Sequence, residues 1–180
     1  KTKQKYMTRL KNYAKIKQKY TTRLKNCHKM KKSNFKPVTS KPFFFERDIH
    51  VAVQKGKLSS VQYLVEMCYV SAEERGFLGY TPLHEASSKG HIEIVKYLIE
   101  EHEVNVEAKD LNGMTPLFNA SSNDQVEVFK YLIEHCNANI RARSNLGQTP
   151  LSTAIINGQI RVINYIFEKG LIKIEEVDSF

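Results

Sequence analysis

The chain has 180 residues, 41% of them hydrophobic and 26% charged, with a formal charge of +9 and no tryptophan. That apolar share suffices for one ordinary core or a stack of small repeats, but no apolar run is long enough to form a signal core or cross a bilayer. Three cysteines, Cys27, Cys68 and Cys136, without CxxC or Cys/His ligand spacing, argue against a disulfide framework and a metal site and point to a reducing compartment.

The charge is unevenly placed. Residues 1–45 hold 15 Lys and Arg and no acid, whereas from Glu46 onward there are 13 basic and 19 acidic residues. A basic arm therefore precedes an acidic body. Because the sequence opens on Lys1 rather than Met, further residues upstream are expected.

In the arm, residues 1–32, KQKYMTRLKN from Lys3 to Asn12 returns as KQKYTTRLKN from Lys17 to Asn26. The stretch lacks Gly and Pro, and Lys, Arg, Gln, Leu and Met favour helix. Tyr6, Tyr13, Tyr20 and Cys27 recur every seven residues, so a helix here would carry one narrow aromatic face. Like-charged neighbours one turn apart, such as Lys5/Arg9 and Lys15/Lys19, together oppose that helix by roughly 2 kcal/mol at low salt. The free arm is thus expected to be mostly unfolded and to take shape on an anionic partner. The residues expected to meet it are Lys3, Lys5, Tyr6, Arg9, Lys11, Tyr13, Lys17, Lys19, Tyr20, Arg23 and Lys25.

Thirteen of the 15 cations are lysines, so the bidentate arginine contacts that read bases would be scarce. A duplicated unit suits a surface of repeated sites. An acidic protein polymer such as the tubulin of a microtubule ranks first, nucleic acid bound without sequence preference second, and an anionic membrane third, since a Tyr-rich face inserts shallowly. A plain solubilising or nuclear-import segment is the competing interpretation. The linker that follows, residues 33–45, holds Pro37 and Pro42 and is expected to be extended, with Phe43 to Phe45 plugging the open end of the body.

The body, residues 46–180, is periodic. TPLHEA from Thr81, TPLFNA from Thr115 and TPLSTA from Thr149 lie 34 residues apart, each followed at one offset by HIEIVKYLIE, QVEVFKYLIE or QIRVINYIFE. The same period aligns a fourth copy, DIHVAVQKGKLSSVQYLVE from Asp48, in which Arg47 and Asp48 replace Thr-Pro and which is expected to act as the N-terminal cap. Each copy predicts two short helices. The Thr hydroxyls cap the first helix and Pro82, Pro116 and Pro150 suit its first turn. Leu83, Leu117 and Leu151, with Ala86, Ala120 and Ala154, face neighbouring helices. Gly90 and Gly158 end the first helix in a left-handed conformation, a place Asp124 takes in the third copy. The second helix is expected to bury Ile94, Val95, Leu98 and Ile99, or Val128, Phe129, Leu132 and Ile133. In the last copy Ile160, Val162, Ile163, Ile166 and Phe167 keep an apolar face, some of it expected to be open or covered by the tail or a partner. One repeat cannot hide such a face, but a stack can.

These phrases resemble the ankyrin repeat, in four copies from about Glu46 to Glu175; the Trp and Leu-Gly signatures of a tetratricopeptide array are missing. The resemblance implies an all-α solenoid of helix-turn-helix repeats with β-turn fingers, acting without catalysis in protein binding. In that family the turn tips and the exposed side of the first helix grip partners. Carried over, the tips are Phe77, Leu78 and Tyr80; Leu111, Asn112 and Met114; and Asn145, Leu146 and Gln148. The helix positions are Ser88, Lys89, Ser122, Asn123, Ile156 and Asn157. Five or six apolar tips would form an exposed patch, unless the leucines fold back on neighbouring repeats. The motif's His position is Phe118 in the third copy and Ser152 in the fourth, so its usual polar network is expected to be incomplete.

No nucleophile phrase or Gly-rich phosphate loop occurs, and His50 and His84 fall on repeat positions. No enzyme activity, cofactor, metal or small-molecule substrate is expected, and Glu100, Glu101 and Glu103 read as a solvated loop. Asn119-Ala120-Ser121 matches a glycosylation acceptor by coincidence. The expected function is a protein-interaction or structural adaptor in the cytoplasm, at the cytoskeleton or a cilium, and the alternative is a nuclear or RNA-associated factor using the same arm.

Overall fold

In the computed structural model, residues 48–172 are described. Residues 1–47, which include the arm, the linker and the plug expected of Phe43 to Phe45, and the last eight residues lie outside them, and so do all the arm contacts expected above. Among the described residues there are eight α-helices and no strand, which is the expected all-α solenoid. They form four pairs: Ile49–Gln54 (α1) with Leu58–Met67 (α2), Pro82–Lys89 (α3) with Ile92–His102 (α4), Pro116–Ser122 (α5) with Val126–Glu134 (α6), and Pro150–Ile156 (α7) with Ile160–Glu168 (α8). The first helices pack in one row and the second helices in another, each pair touching its neighbours.

Local chemistry sets the boundaries. Thr81, Thr115 and Thr149 have extended backbone and the following proline opens each helix. Asp48 replaces this device in the first pair, its carboxylate accepting the His50 N–H at 2.8 Å. Hydroxyl capping occurs as expected at Thr149, which accepts the Ser152 N–H at 3.1 Å while the Ser152 hydroxyl accepts the Thr149 N–H at 2.8 Å. Thr81 also forms a capping box, with the His84 ring as its third member: Nδ1 accepts the Thr81 N–H at 3.1 Å and lies 2.8 Å from the Thr81 hydroxyl. At Thr115 the expectation fails: the Phe118 N–H bonds the Thr115 carbonyl and the phenyl ring has no polar atom, so the buried hydroxyl has no partner.

The core runs along the stack. Leu83, Leu117 and Leu151 and Ala86, Ala120 and Ala154 are buried, as are Ile94, Val95, Leu98, Val128, Phe129 and Leu132. Ile99 and Ile133 are only half-buried, because 100° of helical turn past Leu98 or Leu132 carries them to the flank of the helix; Tyr97 is buried instead. In α8, Val162 and Ile166 are buried, Ile163 and Phe167 half-buried and Ile160 exposed. Ser87 and Ser121 lie under the next repeat, Ser121 donating to the Pro150 carbonyl at 2.6 Å, while the equivalent Ile155 is exposed beside Ile156.

Two left-handed residues show how the stack is sewn. Gly90 has φ +73 and lies so close to Gln125 that a Cβ would strike the amide oxygen. Asp124, at the same place one repeat on, has φ +53, and its Oδ1 accepts the Val162 N–H at 3.1 Å. α8 has no side-chain cap of its own, so Asp124 supplies one from the preceding repeat. A second ladder joins the outer helices. Tyr131 donates to Glu100 at 2.8 Å and Tyr165 to Glu134 at 2.9 Å, and burial followed by the carboxylate holds the Tyr165 hydroxyl up at about 12.

Candidate protein-binding surface

Between successive helix pairs the chain makes tight fingers at residues 76–80, 110–114 and 144–148. Each is closed by a pair of backbone bonds: Asp110 N–H to Met114 carbonyl and Gly113 N–H to Asp110 carbonyl in the second, with the same pattern in the first and third. Asp110 also accepts the Asn112 and Met114 N–H groups at 2.8 Å. Gly113, at φ +74, permits the turn and the close approach of Asn145. The fingers are joined to one another. Leu111 N–H donates to the Leu78 carbonyl at 3.0 Å and Asn145 N–H to the Asn112 carbonyl at 2.8 Å.

At the tips, Phe77 is 85% exposed, Leu111 70%, Leu146 82% and Leu78 41%. Leu111 lies over Gly79, so it partly folds back while still facing solvent. Leu78 holds φ +57, a conformation unfavourable for a bulky residue. Asn112 and Asn145 are exposed and Gln148 is half-buried. Tyr80 and Met114 are half-buried, which leaves four of the apolar tips exposed. Tyr80 stacks on the His84 ring with centroids 5.5 Å apart, and the Met114 backbone is held inward, its carbonyl accepting the Asp110 N–H.

On the first helices, Lys89, Asn123, Ile156 and Asn157 are exposed and Ser88 and Ser122 half-buried. They form a ladder of their own: Asn123 Nδ2 donates to Ser88 at 3.2 Å and Asn157 Nδ2 to Ser122 at 2.9 Å. The residues named from sequence thus lie on two strips of the stack. Sequence reasoning missed Arg75, whose Nη1 donates to the Gly79 carbonyl at 2.9 Å and the Lys109 carbonyl at 2.8 Å, tying the first finger to the second. The signal was present, since Lys109 and Arg143 repeat a cation at the same 34-residue offset.

Two histidines on the first helices have pKa values shifted in opposite directions. His84 is fully buried; its Nδ1 accepts the Thr81 N–H at 3.1 Å and its Nε2 lies 3.1 Å from the Met114 carbonyl. Burial pushes its pKa down. His50 Nδ1 lies 3.3 Å from Glu85, which raises its pKa against the opposing effect of burial. Among the described residues no group of three His, Cys, Asp or Glu could hold a metal ion. Asn119, of the glycosylation-like triplet, is buried in α5 with Ser121.

A family model described as ankyrin repeats (3 copies) matches residues 49–144 and 102–178. The chain belongs to the ankyrin-repeat family. The fingers and paired helices above are the ankyrin architecture, in which repeats serve as protein-interaction modules. No curated protein matches the chain.

Proposed function

We propose that this ankyrin-repeat protein is a non-catalytic adaptor whose fingers and first-helix ladder hold a protein partner. The observation that carries this reading is the run of exposed apolar tips, Phe77, Leu78, Leu111 and Leu146, on fingers locked together by backbone bonds. Exposed aromatic and aliphatic side chains on a rigid base gain contact area at little entropic cost. The strained backbone at Leu78 supports the same reading. Joint replacement of Phe77, Leu111 and Leu146 by Ser is expected to lower recovery of proximity-labelled partners at least tenfold while the melting temperature stays within a few degrees. A large fall in melting temperature would instead make these side chains part of the core.

The arm gives the adaptor its second end. Its lysine bias and fourteen-residue duplication support attachment to an acidic, repetitive protein lattice, with a microtubule preferred, and a cytoplasmic, cytoskeletal or ciliary setting. The protein is expected to co-sediment with stabilised microtubules and to hold them to higher salt than it holds random-sequence RNA. Tighter binding to RNA, weakening steeply with salt, would support the nucleic-acid alternative.

A further inference from the structure

The register of the fingers does not stop at the third. Val104, Ala138 and Ile172, each following the second helix of its repeat, are buried at the 34-residue spacing. By the same count Ile174 takes the place of Val106 and Ile140, and Asp178 that of Asp110 and Ser144. Both predecessors of Asp178 brace their turns from the side chain: Asp110 Oδ1 accepts the Asn112 N–H at 2.8 Å, and Ser144 Oγ accepts the Leu146 N–H at 3.3 Å. Asp makes this bond to the residue two further on more strongly than Ser does. For Asp178 that residue is Phe180.

The third finger has a place ready beside it. In the two backbone bonds that join neighbouring fingers, Leu111 N–H to Leu78 carbonyl and Asn145 N–H to Asn112 carbonyl, the donor lies 33 residues after the acceptor. The next pair in this series is Ser179 and Leu146. Among the described residues no N–H donates to the Leu146 carbonyl. A Cβ at Gly79 would meet Leu111 and one at Gly113 would meet Asn145, whereas no described residue lies within 4 Å of one at Gly147. The last helix pair has the same unfinished character. Ile163 corresponds to Val95 and Phe129, both fully buried, yet it is half-buried; Ile155 corresponds to Ser87 and Ser121, which lie under the next repeat, yet it is 45% exposed. With Ile156 and Ile160 also exposed, these positions lack the polar side chains that close the end of a stack.

We propose that residues 173–180 of this chain dock on the free edge of the third finger, with Asp178 to Phe180 beginning a fourth. Ser179 N–H donates to the Leu146 carbonyl, Asp178 accepts the Phe180 N–H, and Phe180 stands beside Leu146 in the column of Leu78 and Asn112. The chain length fits. Ile172 is already seated like Ala138, and the seven residues from Ile172 to Ser179 match the seven from Ala138 to Asn145. Tethered at Ile172, the segment meets this edge at an effective concentration of about millimolar order, an advantage that the tail of a second copy lacks. The docking needs no partner, so its test is independent of the adaptor reading.

The test uses the full chain carrying Cys27→Ser, Cys68→Ser and Cys136→Ala, with pairs of new cysteines oxidised by glutathione disulfide. A disulfide spans Cα atoms about 4.4–6.8 Å apart, within reach of two residues joined by a backbone bond. Leu146→Cys with Ser179→Cys is expected to close an intramolecular disulfide about tenfold faster than Leu146→Cys with Glu176→Cys or Ile156→Cys with Ser179→Cys. Adding Asp178→Ala should slow the first pair at least about threefold, because it removes the bond that shapes the turn, with helicity unchanged. Equal rates for positions 176 and 179 would show a tail without register and overturn the docking. Faster closure with position 156 would put the tail over the isoleucine face, and a disulfide between chains would give the edge to a second copy; either overturns it as well. An unchanged rate with Asp178→Ala would overturn the fourth finger.

Discussion

Phe129→Ala is expected to lower stability by about 3–5 kcal/mol, the range for removing a fully buried phenyl ring, out of the roughly 5–15 kcal/mol typical of a domain. Phe129 is fully buried in α6 and meets Tyr165 of α8 edge-on with ring centroids 6.1 Å apart. The cavity would therefore open at the seam between the third and fourth repeats. In a stack each repeat touches only its neighbours, so a weakened seam releases the repeat beyond it rather than the whole array. Amides of α7 and α8 should then exchange with solvent much faster than those of α3 and α4, and the denaturation curve should broaden. Tyr165→Phe, which removes only the bond to Glu134, should cost about 1 kcal/mol at the same seam. A uniform rise in exchange across all four repeats would mean that the stack unfolds as one unit and that the seam has no independence.

The helix pairs were legible because each repeat states its own boundaries: Thr-Pro opens a helix, Gly closes it, and the 34-residue period repeats both. The bonds between repeats were less legible, since they join residues whose meeting depends on stacking geometry. Tyr131 finding Glu100 and Asp124 capping α8 are of this kind, and Asp124 read only as a tolerated substitute for Gly until its carboxylate was placed against Val162. Among the candidate contacts, residue type alone overstated exposure. Tyr80 and Met114 were counted with Phe77 and Leu111, but both are half-buried, the Tyr80 ring stacked on His84 and the Met114 carbonyl bonded to it. Leu146 and Phe77, one position or more nearer the tip, have no such neighbour and remain in solvent.

Acid should destabilise the stack, and the two histidines should act against each other. Only the Nε2–H tautomer of His84 satisfies its surroundings, accepting from Thr81 and donating to Met114; a proton on Nδ1 would oppose the Thr81 N–H. Burial and, less strongly, Arg75 depress its pKa, while the Met114 and Ala108 carbonyls and Asp110 act in the other direction. With the folded value below the unfolded value of about 6.5, the unfolded chain binds more protons, so this contribution is intact above that pH and is lost as the pH falls. His102, also depressed by burial, has the same sign. His50 has the opposite sign: the Glu85 carboxylate 3.3 Å from Nδ1, helped by the charges of Asp48 and Glu74, raises its pKa against burial, so its contribution is present in acid and is lost as the pH rises through the folded value. Between pH 7 and 5 the depressed pair should outweigh His50, with a slope of up to about 1.4 kcal/mol per pH unit for each uncompensated proton. His50→Gln should steepen the acid loss, because it removes the compensating group. His84→Phe, which installs the residue found as Phe118 one repeat on, should flatten it while lowering stability at neutral pH by stranding the Thr81 and Met114 groups. Denaturation midpoints of the three proteins across this range measure both effects, and an unchanged slope in His84→Phe would show that the acid-sensitive proton binds elsewhere.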